Sequence, residues 1–352
     1  MKLIIFCLYV FLYFNCIGGT IYLPKNVSVP AIIAFGDSLL DVGNNNYITT
    51  MTKSNFLPYG KDFVGGKPTG RFSNGKTLAD FFAKALGVKE YVPAYLNPFI
   101  KEKDLLTGVS FASGGTGYDP LTATLSSVIP VSIQLDMFKQ YIWRLKSMVG
   151  EENVKNIINN SVFFVSSSSN DFLVNYYSVP MRRLQYDVPA YSNLLVKLAV
   201  SFIQDLHKLG ARRIVVFSAP PLGCIPIERT LAGGSERKCV DKYNKAAILF
   251  NRKLKEHLHS LEKSLPQSRI AFSDFYNPLI SIIENPHKYG FEVADQGCCG
   301  TGKLEMSYLC NELSATCQND SSFFFWDSLH PTEKGCDIFT KIVLPDLVKS
   351  LF

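Results

Sequence analysis

A chain of 352 residues that is 47% apolar can bury a sizeable core, in one large domain or two small ones. Its formal charge of +6 is the balance of 36 basic and 30 acidic residues. No basic block is interleaved with aromatics, which excludes a nucleic-acid-binding design.

In chain order, the first element is an apolar run behind Lys2, "LIIFCLYVFLYF", followed by "NCIGGT". A basic start, a short apolar core and small residues after it read as a secretory signal peptide over about residues 1–19. The run is shorter than the ~20 residues a span needs, and an uncleaved anchor is the alternative. Residues 20–352 then form the mature chain, with no internal repeat or low-complexity linker, so a single domain is expected. Three sequons, at Asn26, Asn159 and Asn319, fit a secreted, extracellular glycoprotein.

The first strand is "AIIAF", from Ala31. It stops at Gly36-Asp37-Ser38 and runs into a Gly/Asn-rich loop. A helix follows over "TLADFFAKALG", from Thr77 to the stop at Gly87. "GVSFA", from Gly108, is the second strand and ends in "SGGTG". A helical pattern over 133–150 leads to the third strand, "SVFFVS" from Ser161, which ends in "SSSND". A helix over 193–210, the strand "RIVVFS" from Arg213, a helix over 241–265 and the strand "RIAFSD" from Arg269 complete the alternation. These apolar runs do not alternate in polarity, as strands buried on both faces do not. The expectation is an α/β fold with a parallel sheet covered on both sides.

Ligands in such sheets bind beyond the carboxyl ends of the strands. At those ends stand Ser38, the segment "SGGTG" from Ser113 to Gly117, and Asn170. Near the C-terminus "FWDSLHPTEKG" places Asp327 three residues before His330, with Pro331 expected in the first turn of the final helix. Ser38 needs a base to become a nucleophile, His330 supplies one, and Asp327 holds its tautomer. The Ser38 N–H, a glycine N–H and the Asn170 amide can bind an oxyanion. Taken singly each feature has a plain reading: Ser38 as a turn residue, "SGGTG" as a phosphate cradle without the P-loop lysine, Asn170 as a helix cap. Their joint placement favours chemistry. His207, His257, His259 and His287 read as structural, since only His330 stands in an Asp-x-x-His arrangement.

Nine cysteines, less Cys7 and Cys16 in the signal peptide, leave seven, an odd number. An oxidising compartment favours pairing, and no spacing suits zinc. Cys224 and Cys239 flank a short loop and are expected to pair. Cys298, Cys299, Cys310 and Cys317 should form two more bridges, with the adjacent pair not bonded to each other. Cys336, on the final helical pattern, is the expected free thiol.

"FGDSL", "FASGGTG", "SSND" and "DSLHPTEKG", in this order, resemble the four blocks of the GDSL esterases/lipases of the SGNH hydrolase superfamily. "RFSNGKTLADFFAKALG", "APPLGCIP", "CVDKYNKAAILFN" and "DQGCCGTGKLE" resemble the plant secreted branch, and the likeness covers nearly all of the mature chain. It implies a three-layer α/β/α sandwich, flavodoxin-like, with a five-stranded parallel sheet. It implies a catalytic Ser38, Asp327 and His330, and an oxyanion hole of Ser38, Gly114 and Asn170, with Gly115 the second choice of glycine. The implied activity is hydrolysis of carboxylic esters, of acyl lipids or acylated metabolites, without metal or organic cofactor, outside the cell. Two departures stand out: Ser168 replaces the glycine of the third block, and Cys336 is unusual for its helix. Acyl transfer by the same residues, or a non-catalytic binding role on the same scaffold, are the rival functions.

Overall fold

The computed structural model describes residues 23–24 and 27–352. The signal peptide and Asn26 lie outside the described residues. Four of the apolar runs become strands β1 (Ile32–Gly36), β2 (Val162–Ser166), β3 (Arg213–Phe217) and β4 (Arg269–Ser273). They lie in the order β1-β2-β3-β4, all parallel, with Ala34, Phe164, Val215 and Ala271 in one row.

The fifth expected strand is present as a ladder rather than a regular strand. Residues 107–113 run parallel to β1 on its free side, with Ala34 N–H to the Val109 carbonyl at 3.1 Å and Phe111 N–H to the Ala34 carbonyl at 2.8 Å. Gly108 starts this segment at φ +90, and a Cβ there would stand 2.0 Å from the Ile32 carbonyl oxygen. Close approach of two backbones shortens the regular pairing. The spatial order is therefore 107–113, β1, β2, β3, β4. The chain leaves β1 for one side and returns to the other, which opens a crevice at the carboxyl ends of β1 and β2.

Alternate residues of every strand serve opposite layers. Ile33, Phe35, Phe163, Val165, Ile214 and Val216 pack with helices Val131–Val149, Val188–Lys208 and Asp241–Ser264. Ile32, Ala34, Phe164, Val215 and Phe217 pack with helices Leu78–Ala85, Tyr276–Glu284 and Glu333–Leu351. Helices on both faces of a parallel sheet make the α/β/α sandwich, and two buried faces confine polar residues to the strand ends, at Ser166, Arg213, Arg269 and Ser273. Among the described residues no single helix is long and apolar enough to cross a membrane.

A second, two-stranded parallel sheet pairs β5 (Val293–Gly297) with β6 (Phe323–Phe325). Beside it, disulfides Cys298–Cys317 and Cys299–Cys310 pack with Tyr59 and Trp326 in a small cluster of their own. Cys224 bonds Cys239, and among the described residues Cys336 is the free, buried thiol. The final helix begins at Glu333, not at Pro331: Thr332 is its N-cap, accepting the Gly335 N–H at 3.0 Å. Pro331 therefore lies before the cap rather than in the first turn.

Candidate active site

β1 ends because Gly36 is pressed against β2. At φ +119, a Cβ there would fall 1.7 Å from the Ser166 carbonyl oxygen. Asp37 N–H then bonds that carbonyl at 2.7 Å, and the Asp37 carbonyl takes the Asp41 N–H at 2.9 Å. Ser38 stands on this first turn beyond the sheet. The Gly/Asn-rich loop behind it grips the neighbouring segment. Asn44 Nδ2 donates to the Ser110 and Ala112 carbonyls at 2.9 and 2.8 Å, and Asn45 Nδ2 to the Gly114 carbonyl at 2.9 Å.

From the other side comes the turn after β6. Trp326 N–H bonds the His330 carbonyl at 2.7 Å and Thr332 N–H the Phe324 carbonyl at 2.8 Å, closing a tight loop. It presents His330 Nε2 at 2.8 Å from Ser38 Oγ and His330 Nδ1 at 2.8 Å from Asp327 Oδ2. Asp327 is fully buried, and Ser38 and His330 are 7% and 5% exposed, so these bonds are shielded from water. Asp327 Oδ1 accepts the Leu329 and His330 N–H groups at 2.8 and 2.7 Å. The Tyr59 hydroxyl donates to Asp327 Oδ2 at 2.6 Å. Tyr59 was not a candidate from sequence: it lies 268 residues from Asp327, in "FLPYG", where no local pattern marks it.

The glycine loop differs from the expectation. Gly114 N–H donates to Asp41 Oδ2 at 2.9 Å, so that donor is already used. Asp41 is buried and also accepts the Gly43 and Asn44 N–H groups at 2.8 Å. Burial raises its carboxyl to about 6 in spite of those bonds. Gly115, at φ +92, lines the cleft together with Ser38 and Asn170. None of the hydrogen bonds among the described residues uses the Ser38 or Gly115 N–H. Asn170 Nδ2 donates one bond, to the Thr116 carbonyl at 2.9 Å, and makes no cap bond to the π-helix Asp171–Ser178 that follows. Asp171 is structural: it accepts from Tyr118 N–H at 2.8 Å and Thr122 Oγ1 at 2.6 Å and locks the second and third blocks together. Ser168 is buried without a left-handed φ, so its backbone takes a conformation open to any residue.

A GDSL-like lipase/acylhydrolase family profile matches residues 32–343. The chain is 49% identical over 334 residues to the Arabidopsis thaliana GDSL esterase/lipase At5g42170, covering 95% of this chain and 90% of that one. It is 51% identical to the Arabidopsis thaliana GDSL esterase/lipase At3g14820 over 325 residues, 92% of each. The chain belongs to the GDSL esterase/lipase family. It is a carboxylic ester hydrolase.

Two apolar recesses of this GDSL hydrolase meet at Ser38, and Asn170, Leu329 and His330 border both. The narrower, about 430 Å³ with its mouth included, is walled by Leu39, Ile225, Phe275, Leu279 and Phe325. The wider, about 710 Å³ on the same measure, is walled by Met51, Phe72, Val174, Met306, Tyr308 and Leu309. Apolar walls with a few convergent polar groups suit an ester with apolar substituents on both sides. Among the described residues no group of three His, Cys, Asp or Glu side chains is arranged to hold a metal ion. Asn319 is exposed at a short helical turn, whereas Asn159 is half-buried in the last turn of a helix.

Proposed function

We propose that this GDSL hydrolase cleaves carboxylic esters through an acyl-enzyme on Ser38. The observation that carries this reading is the hydrogen-bonded line from Ser38 Oγ to His330 Nε2 and from His330 Nδ1 to Asp327 Oδ2, both bonds 2.8 Å. His330 takes the Ser38 proton as Oγ attacks the ester carbonyl, then gives it to the departing alkoxide. Water, activated by the same imidazole, frees the acid. Asp327 keeps the proton on Nδ1 and stabilises the imidazolium. The oxyanion receives the Ser38 N–H, the Asn170 amide and the Gly115 N–H, which replaces Gly114 in this role because Gly114 is bonded to Asp41.

The substrate class is an acyl lipid or an acylated metabolite, in keeping with the apolar recesses on both sides of Ser38. Three disulfides among the described residues and the N-terminal leader sequence support an extracellular site of action, with Asn319 better exposed than Asn159 for glycosylation. The test is labelling by a fluorophosphonate probe. Wild-type protein should be labelled at Ser38 and Ser38→Ala should not; labelling that persists elsewhere in the variant would refute the assignment.

A further inference from the structure

We propose that Tyr59 is a positioning residue for the Asp327 carboxylate, tying it to the disulfide-closed loop and tempering its pull on the His330 Nδ1 proton. The inference rests on the Ser38–His330–Asp327 reading and adds a group that none of the sequence motifs contains.

Asp327 is fully buried and has four hydrogen bonds. Three come from its own turn: the Leu329 N–H, the His330 N–H and His330 Nδ1. These groups move with Asp327 and cannot fix it against the rest of the protein. The fourth, from the Tyr59 hydroxyl at 2.6 Å, comes from the opposite end of the chain. Among the described residues it is the one side-chain bond that anchors this carboxylate from outside its turn.

The direction of that bond is forced. The Tyr59 oxygen accepts the Ser307 N–H at 2.7 Å, and an ionised carboxylate can only accept. The phenol proton therefore points at Asp327 Oδ2. Burial, and then the charge of Asp327, push the Tyr59 phenol well above its ordinary range, so the proton stays in place. The ring is fully buried and meets Phe56 and Phe72 edge-on at 5.9 and 6.3 Å; Phe72 in turn lies 5.0 Å from the His330 ring.

Behind Tyr59 stands a rigid support. Ser307 lies inside the loop closed by Cys298–Cys317 and Cys299–Cys310, at φ +48. Its hydroxyl donates to the Lys53 carbonyl at 2.8 Å and accepts the Lys53 N–H at 3.0 Å. Cys299 N–H bonds the Trp326 carbonyl at 2.8 Å, directly before Asp327. The bridged loop thus holds the triad turn twice, through the backbone of Trp326 and through Tyr59.

Tyr59 and His330 share one oxygen, Oδ2. Each donor lowers the electron density left for the other. Without the phenol, Oδ2 becomes the stronger acceptor for Nδ1–H, while the carboxylate loses its outside anchor.

Tyr59→Phe removes a single oxygen and keeps the ring. With a p-nitrophenyl ester, kcat should fall about tenfold, the scale of one hydrogen bond to a charged group. KM should stay within about twofold, since the substrate does not touch Tyr59. The low-field proton resonance of His330 Nδ1–H should move downfield. A folded variant in which either kcat or this resonance keeps its wild-type value overturns the proposal. If the variant does not fold, wild-type protein grown on 3-fluorotyrosine carries the test: the more acidic phenol should move the resonance upfield, and an unmoved resonance overturns the proposal. Fluorophosphonate labelling of the wild type is run alongside. Its failure at Ser38 would strike the triad reading, whereas normal labelling with an unchanged Tyr59→Phe would strike the role of Tyr59 alone.

Discussion

Asn170 has two N–H bonds to give, and one goes to the Thr116 carbonyl. Asn170→Ala should therefore do two things at once. Loss of an oxyanion donor should lower kcat by roughly 10²–10³ with little change in KM. Loss of the Thr116 bond should cost about 1–3 kcal/mol, read from a urea melt, because it leaves a buried carbonyl unpaired. A stability loss with wild-type kcat would mean that the amide only braces the loop. Ser168→Gly, in contrast, should leave kcat unchanged, since Ser168 borders neither recess and holds an ordinary backbone conformation.

Charge at the same sheet end has a pH signature. Burial raises Asp37 to about 7, Asp41 to about 6 and Glu228 to about 7. Asp37 Oδ2 has no partner among the described residues. Between the unfolded carboxyl values near 4 and these raised ones, the folded state binds more protons than the unfolded state, so stability falls as pH rises. Glu305 acts in the opposite sense at lower pH: burial is outweighed by bonds from the Thr301 and Leu304 backbone, which bring it to about 2, and its contribution is lost as pH falls below about 4. The melting temperature should therefore decline from about pH 5 to pH 8, and Asp37→Asn should flatten part of that slope. A melting temperature that rises through the window would contradict it. Ser38, Asn170, Asp327 and His330 were legible as candidates because each follows a strand or sits in a recognisable turn. Gly115 was legible only as the second choice, because the choice against Gly114 depends on where the side chain of Asp41 reaches. Tyr59 was not, because nothing around it in sequence foreshadows Asp327.

Among the elements, the helix Leu78–Ala85 is the one most exposed to a single change. Thr77 and Asp80 form its capping box, and Asp80 also accepts from Arg71 Nε and Nη2 at 2.7 Å each and from Val92 N–H at 2.9 Å. Asp80 is fully buried and Arg71 5% exposed. Asp80→Ala would leave the buried guanidinium without its counter-ion, holding only the Val42 and Val92 carbonyls and the Thr69 hydroxyl, and should lower the unfolding free energy by about 3–5 kcal/mol in urea. A loss below about 1 kcal/mol would mean that Arg71 finds water instead. The long helices and four strands were legible because each is a sustained apolar pattern. β5 and β6 were not: "VADQG" is half-exposed and polar, and "FFF" is too short for a period to register. That pair matters because β6 leads directly into the Asp327–His330 turn. The segment 107–113 was expected as a strand, and its ladder to β1 is real, but Gly108 and the second pairing of Ser110 with Ala94 break its regularity.

The layer order of the whole molecule decides where the crevice lies. The chain passes from β1 to the 107–113 edge and back across to β2, so three strand ends deliver Ser38, Gly115 and Asn170 to one crevice. Sequence alternation predicted this layering, but not the two recesses, whose walls come from loops and helices far apart in the chain. The narrower recess lies between Ser38 and the helix Tyr276–Glu284, with Phe275 and Leu279 in its wall. A narrow apolar wall measures chain length, since each further methylene must find space or strain the packing. If the acyl group enters here, p-nitrophenyl esters from acetate to palmitate should show a maximum kcat/KM at short acyl chains. Phe275→Leu, which shortens the wall at a smaller cavity cost than alanine, should then move that maximum to longer chains with little change in activity on the acetate. An unchanged profile in Phe275→Leu, together with a shifted one in Met306→Ala, would instead place the acyl chain in the wider recess and the alcohol in the narrow one.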